Sequence, residues 1–197
     1  MIFALSVGAI VGIVVAVVMI ILIISLIGWA ISVYNRIIRM ENDVEESFST
    51  IDVYLKKRWD LIPNLVETVK GYAKHESQTL ESVIAARNMA IGAKSTEEKF
   101  AAENVLSGTL KSLFAVSESY PNLKADAQFM QLQSQLQNLE HEIAQSRKYY
   151  NAKVKAFNNI IMLFPSKIIA GFMHKTKKPF FEIDNEEREN VKVSFWF

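Results

Sequence analysis

Apolar residues fall along the chain in two regimes. From Ile2 to Val33 they are almost unbroken: no charged side chain occurs there, and Ser6, Ser25 and Ser32 are the only hydroxyl-bearing residues. A helix needs about 20 apolar residues to cross a bilayer core, so this run is predicted to span a membrane. Trp29 and Tyr34 at its end suit the headgroup layer, and Arg36 and Arg39 follow at once. From Ile37 onward the apolar positions become periodic. Ile37, Met40, Val44, Phe48, Ile51, Leu55, Trp59, Ile62, Val66, Val69 and Ala73 step by three or four, with Glu45, Glu46, Lys56, Lys57, Asp60, Glu67 and Lys70 on the other face. That is the signature of one long amphipathic helix. Pro63 lies inside the stripe and removes one backbone donor, so a kink near Asp60 is expected.

Three more helices follow by the same reasoning. Ser77 is placed to cap one that runs to about Ile91, with Leu80, Val83, Ile84 and Ile91 inward and Gly92 as its stop. Ser95 and Glu98 have capping-box spacing and open another, reaching about Tyr120, whose buried face includes Leu106, Leu110 and Leu113. After Pro121 and Asn122 comes a long helix. Its stripe is Leu132, Leu136, Leu139, Ile143, Ser146, Tyr150, Val154, Phe157, Ile161 and Phe164, and Pro165 ends it. Short connections favour antiparallel neighbours. The chain is therefore expected to be all-α: an N-terminal transmembrane helix followed by a long-helix, up-down antiparallel bundle with coiled-coil-like stripes. The division expected is 1–34 as anchor, 35–165 as bundle and 166–197 as tail. In the tail, Ile168, Ile169, Phe172 and Met173 precede Lys175, Lys177 and Lys178. Two surfaces fit that pattern: lipid headgroups or, more simply, the end of the bundle. An acidic stretch from Glu182 to Glu189 is expected to be solvated. Alternation of Val191, Val193, Phe195 and Phe197 with Lys192, Ser194 and Trp196 reads as a short extended segment.

The anchor carries two further signals. Cations flank only its C-terminal end, so the positive-inside rule places the N-terminus outside and the helical domain in the cytoplasm. A cleavable signal would want a basic start and a shorter apolar core, and a lipoprotein signal would want a cysteine. Ala4, Gly8, Gly12 and Ala16 recur every four residues and form a small-residue face suited to helix packing in lipid, and so to a homo-oligomer.

Composition narrows the chemistry. Lys and Arg number 22 against 21 Asp and Glu, so no global field recruits nucleic acid. With no cysteine there is no disulfide, thiol nucleophile or thiolate metal site. His75-Glu76 and His141-Glu142 begin like zinc-protease helices, but Thr79 and Gln145 stand where the second histidine belongs. The sequence has no nucleophile elbow and no phosphate-cradling glycine loop. No catalytic residue, cofactor or metal is expected, and the chain is read as non-enzymatic. Lys56, Lys57 and Arg58 form the densest basic spot and are the candidate contact for a protein partner of unknown identity; Asp52 and Asp60 beside them also fit a plain solvated face.

The block IDVYLKKRWDLIPNLVETVKGYAKHESQTL (Ile51 to Leu80), extended by Arg87-Asn88, resembles the signature region of the LemA family. YYNAKVKAFNNIIMLFPSKIIAGF (Tyr149 to Phe172) resembles that family's C-terminal signature. Tyr34-Asn35 matches its juxtamembrane pair, and Phe180-Phe181-Glu182 its closing aromatic-acidic element. His141-Glu142, where the family pattern has an asparagine-arginine pair, departs from it. The resemblance implies a bacterial membrane-anchored protein with an external N-terminus, a cytoplasmic helical bundle and an unsettled biochemical role. It associates the chain with membrane proteases and envelope stress. Asp60 or Asn64 is expected to satisfy the backbone groups that Pro63 frees, and Arg58, Arg87 and Arg147 to pair with carboxylates between helices.

Overall fold

The structure is a computed structural model that describes residues 7–182; Ala4, the acidic stretch beyond Glu182 and the alternating segment 191–197 lie outside the described residues. Among the described residues all regular structure is helical. The elements are α1 (Val7–Tyr72), α2 (Ser77–Gly92), α3 (Thr96–Ser117), α4 (Pro121–Lys124), α5 (Ala127–Met162) and α6 (Ser166–Phe172). The fold is the expected all-α one, with a long apolar N-terminal helix.

The described residues form two compact units, 7–43 with 155–178 and 44–154 with 179–182. Each takes part of α1 and part of α5, because both helices run on without a break.

The second unit is the bundle. Phe48 meets Tyr150, with ring centroids 6.0 Å apart, Arg58 meets Glu140 at 2.6 Å, and Tyr72 meets Asp126 at 2.9 Å. Rising numbers on α1 thus pair with falling numbers on α5, and the two run antiparallel. Asp52 with Lys99 and Arg58 with Ser107 show that α1 and α3 run parallel. With α2 between them, the order is up, down, up, down. One core takes in Ile62, Leu65 and Val69 of α1, Val83 and Ala90 of α2, Leu106 and Leu113 of α3, Leu123 of α4, and Phe129 and Leu136 of α5. Burying a side chain of this size contributes roughly 1.5–3 kcal/mol.

Several details differ from the sequence reading. Glu76, not Ser77, is the N-cap of α2, and no side chain caps it. The Leu80 amide donates to the Glu76 carbonyl, and the Tyr120 hydroxyl donates to the Glu76 carboxylate at 3.0 Å. Ile84 and Ile91 point outward; Ala86 and Ala90 are the buried positions beside Leu80 and Val83. Alanine there lets α2 and α3 approach closely. The capping box at Ser95 is present in both directions. Asp126 accepts from the Phe129 amide at the start of α5, and that bond, then the one from Tyr72, holds its carboxyl below the usual carboxylate range. α5 stops at Met162, and Phe164 is exposed, not part of the buried stripe.

The first unit contains the apolar end of α1. In its most hydrophobic window no side chain is buried, and this is the one helix among the described residues long and apolar enough to cross a membrane. Further along, Ile37 is fully buried, as are Phe157 and Ala170. Glu41 pairs with Lys175 at 2.5 Å and Lys178 at 3.4 Å. Burial alone would raise the Glu41 pKa; the hydrogen bond and charge of Lys175, reinforced by Lys178, outweigh it and hold the carboxyl below the ordinary glutamate range.

Candidate functional site

The bundle's most polar interior lies where α1, α3 and α5 meet. Arg58 and Glu103 are both buried and form an ion pair, and the Trp59 indole donates to the second Glu103 oxygen at 2.7 Å. The Arg58 guanidinium also donates to the Ser107 hydroxyl at 3.0 Å and to the more exposed Glu140. A pair taken this far out of water is costly unless other groups meet its lone pairs and protons; Trp59, Ser107 and Glu140 meet most of them, while the buried Arg58 Nε has no hydrogen-bond partner among the described residues. Arg58 is therefore an internal residue, while Lys56 and Lys57 are exposed and Lys57 lies 5.5 Å from the Tyr54 ring centroid. The stripe explains this: Arg58 falls one residue before Trp59 and three after Leu55, on the flank of the apolar face.

An α3–α5 cleft of about 170 Å³ opens beside the cluster, lined by Ser107, Leu110, Phe114, Leu136 and Glu140. That is below the roughly 300–1,000 Å³ of a small-molecule site. A more open groove of about 500 Å³ lies between α2 and α3 and is lined by Met89, Val105 and neighbouring small residues.

Pro63 explains a second, half-buried contact. It has no amide to give the Trp59 carbonyl four residues back. The Arg87 Nε donates to that carbonyl at 2.7 Å from α2. Arg87 thus serves a backbone group, not a carboxylate, and takes the part expected of Asp60 or Asn64. α1 continues through Pro63 as one helix to Tyr72.

At the other end of the bundle, Phe48, Phe100, Tyr150 and Phe181 form an aromatic cluster. Phe100 and Phe181 stack at 3.8 Å, and the Arg147 guanidinium lies 4.1 Å from the Phe181 centroid. Asn151 holds the Phe181 backbone with two bonds: the amide donates to its Oδ1 at 2.8 Å, and its Nδ2 donates to the carbonyl at 3.0 Å. The Tyr150 hydroxyl donates to the Pro179 carbonyl at 2.9 Å, and burial, with the nearby Glu97 charge, pushes its pKa up to about 12. In the other unit, Asn158 holds the Lys178 backbone by the same two-bond arrangement, both at 2.9 Å. Glu103 and the two asparagines were not singled out from sequence. The available signal was a polar side chain set directly in or beside a buried stripe.

Of the small-residue face, Gly8, Gly12 and Ala16 are described and exposed, and a Cβ added at either glycine would meet nothing within 4 Å. His75 and His141 are exposed, and His141 contacts Gln145 one turn on. No group of three or more His, Asp or Glu placed to hold a metal occurs among the described residues.

The arrangement is that of a bundle whose interior charges bind one another, with an open apolar helix at its N-terminus. A family model described as the LemA family matches residues 47–195. Protein LemA of Metamycoplasma hominis is 26% identical over 164 residues, which cover 81% of this chain and 74% of that protein. The match takes in the Arg58, Glu103 and Pro63–Arg87 contacts and both asparagine clamps: the chain belongs to the LemA family.

Proposed function

We infer that this protein is a membrane-anchored, non-enzymatic scaffold whose bundle docks a protein partner. The observation that carries the reading is a contrast in satisfaction. Apolar side chains from Ile10 to Ile31 stand open, as a lipid-facing surface requires. The charges inside the bundle are engaged with each other: Arg58 and Glu103 hold one another and are met by Trp59, Ser107 and Glu140. Arg36 and Arg39 support a cytoplasmic bundle and an external N-terminus in the cell membrane, with a single pass. Exposed Lys56 and Lys57 supply a cationic docking face. Service beside a membrane protease in envelope stress is the finer assignment, and it is supported by the family resemblance alone.

The test is crosslinking in intact cells from photoreactive residues at Lys56, Lys57 and the tail. A defined second protein should be recovered, and a membrane protease among the products would support the finer assignment. Recovery of this chain alone would overturn the adaptor reading and favour self-assembly, for which the open Gly8–Gly12 face is the motivating feature. In that case replacing both glycines with leucine should dissolve the oligomer.

A further inference from the structure

We propose that the turn after α5 and the outer face of α6 form a second membrane contact, resting in the headgroup layer of the bilayer that α1 crosses. Phe164 and Phe172 are 82% and 80% exposed, and Leu163 and Ile168 are also open. Phe164, Ile168 and Phe172 are spaced by four, so the last two share one face of α6, while Ala170 on another face is buried. Among the described residues this seven-residue helix has one packed face and one bare aromatic face that nothing covers. Bare rings of this kind mark an interaction surface.

The occupant follows from the unit to which the patch belongs. Residues 155–178 pack with residues up to 43, the part of the chain that holds the apolar run. Lys175 and Lys178 are tied to Glu41, and Asn158 is tied to Lys178. Glu41 lies seven residues beyond Tyr34, about 10 Å along the helix at 1.5 Å per residue. α1 leaves this unit where α5 enters it, so from Asn158 onward α5 travels back alongside α1 toward the apolar run. The four residues to Met162 recover about 6 Å, and Leu163 and Phe164 lie beyond them. That brings the patch to the depth where aromatic rings favour the membrane interface. Exposed Lys167 and Lys177 beside it suit anionic headgroups.

This inference rests on the anchored reading, and one experiment separates the two. The chain has no cysteine, so single cysteines at Phe164, Phe172, Ile20 and Val105 can each carry a nitroxide. The full-length chain is reconstituted into phosphatidylethanolamine–phosphatidylglycerol vesicles, and collision with oxygen is compared with collision with a water-soluble nickel chelate. Ile20→Cys should read deep in lipid and Val105→Cys in water. Phe164→Cys and Phe172→Cys should read interfacial, with an oxygen-to-nickel ratio several-fold above that at Val105. If Ile20 reads deep while Phe164 and Phe172 match Val105, the second contact is wrong and the anchor stands. If Ile20 also reads as water, both readings fall. Shielding of Phe164 and Phe172 from both reagents, with spin–spin broadening between chains, would assign the patch to a second copy and overturn the lipid contact.

Discussion

Pro63 costs α1 the amide that would have met the Trp59 carbonyl, and Arg87 supplies the missing donor from another helix. Removing it should leave a half-buried acceptor unmet, at about 1–3 kcal/mol. Arg87→Ala is expected to lower stability by that amount in urea unfolding of the detergent-solubilised chain. Pro63→Ala restores the ladder amide, so the double variant should lose much less than Arg87→Ala alone; strictly additive losses would refute the pairing. The Arg58–Glu103 pair makes a complementary case. Glu103→Leu leaves the buried guanidinium with Ser107 and the more exposed Glu140, takes the acceptor from the Trp59 indole, and is expected to cost about 1–3 kcal/mol. Adding Arg58→Met should return most of it, and failure to do so would mean that the pair does more than neutralise itself. That Arg58 pairs with a carboxylate between helices is as the sequence reading expects, but which carboxylate it meets, and that Arg87 meets a backbone carbonyl, was not legible. The family resemblance put Arg58 and Arg87 between helices, but partners 45 and 28 residues away depend on which faces meet. The basic run at Lys56–Arg58 looked uniform because adjacent residues on a helix point 100° apart, and periodicity shows that only when each position is set against the stripe.

At the level of the helices, the periodic signal was strong where side chains are large and weak where they are small. The α1 and α5 stripes were read almost whole, and the Ser95–Glu98 capping box fixed the start of α3. α2 was misread at Ile84 and Ile91, because its close contact with α3 uses Ala86 and Ala90 and leaves two large residues outside. Phe164 continued the α5 spacing on paper, but Pro165 ends the helix before it and turns the ring outward. The two asparagine clamps join side chains on α5 to backbone far along the chain, a pairing that carries no periodic trace. The closing contact at Tyr150 predicts a pH effect. A tyrosine in the unfolded chain loses its proton near its ordinary value of 10.0, whereas Tyr150 holds its proton to about 12. This contribution is complete below pH 10 and is lost as the pH rises through the folded value. Tyr150→Phe keeps the ring, gives up the bond to the Pro179 carbonyl, and should flatten that alkaline decline in stability. An identical slope in both proteins would remove Tyr150 from the account.

For the molecule as a whole, the apolar run decides whether the protein resides in a membrane. An arginine at the centre of a span costs roughly 2.5–3.5 kcal/mol on the insertion scale. The full-length chain should stay with membranes through alkaline carbonate washing, while Ile20→Arg with Ile23→Arg should shift it toward the soluble fraction. Retention of the double variant in the pellet would mean that something other than this helix holds it. The aromatic cluster has a consequence for biosynthesis. Polypeptides emerge from the ribosome N-terminus first, and Phe181 appears 31 residues after Tyr150 and 81 after Phe100. Until it is out, the stack on Phe100 lacks its second ring, so that end of the nascent bundle stays unsealed after all its long helices exist. Chains stalled or clipped just short of Phe181 would then differ from finished ones by a greasy notch, giving quality-control machinery a means to tell the two apart.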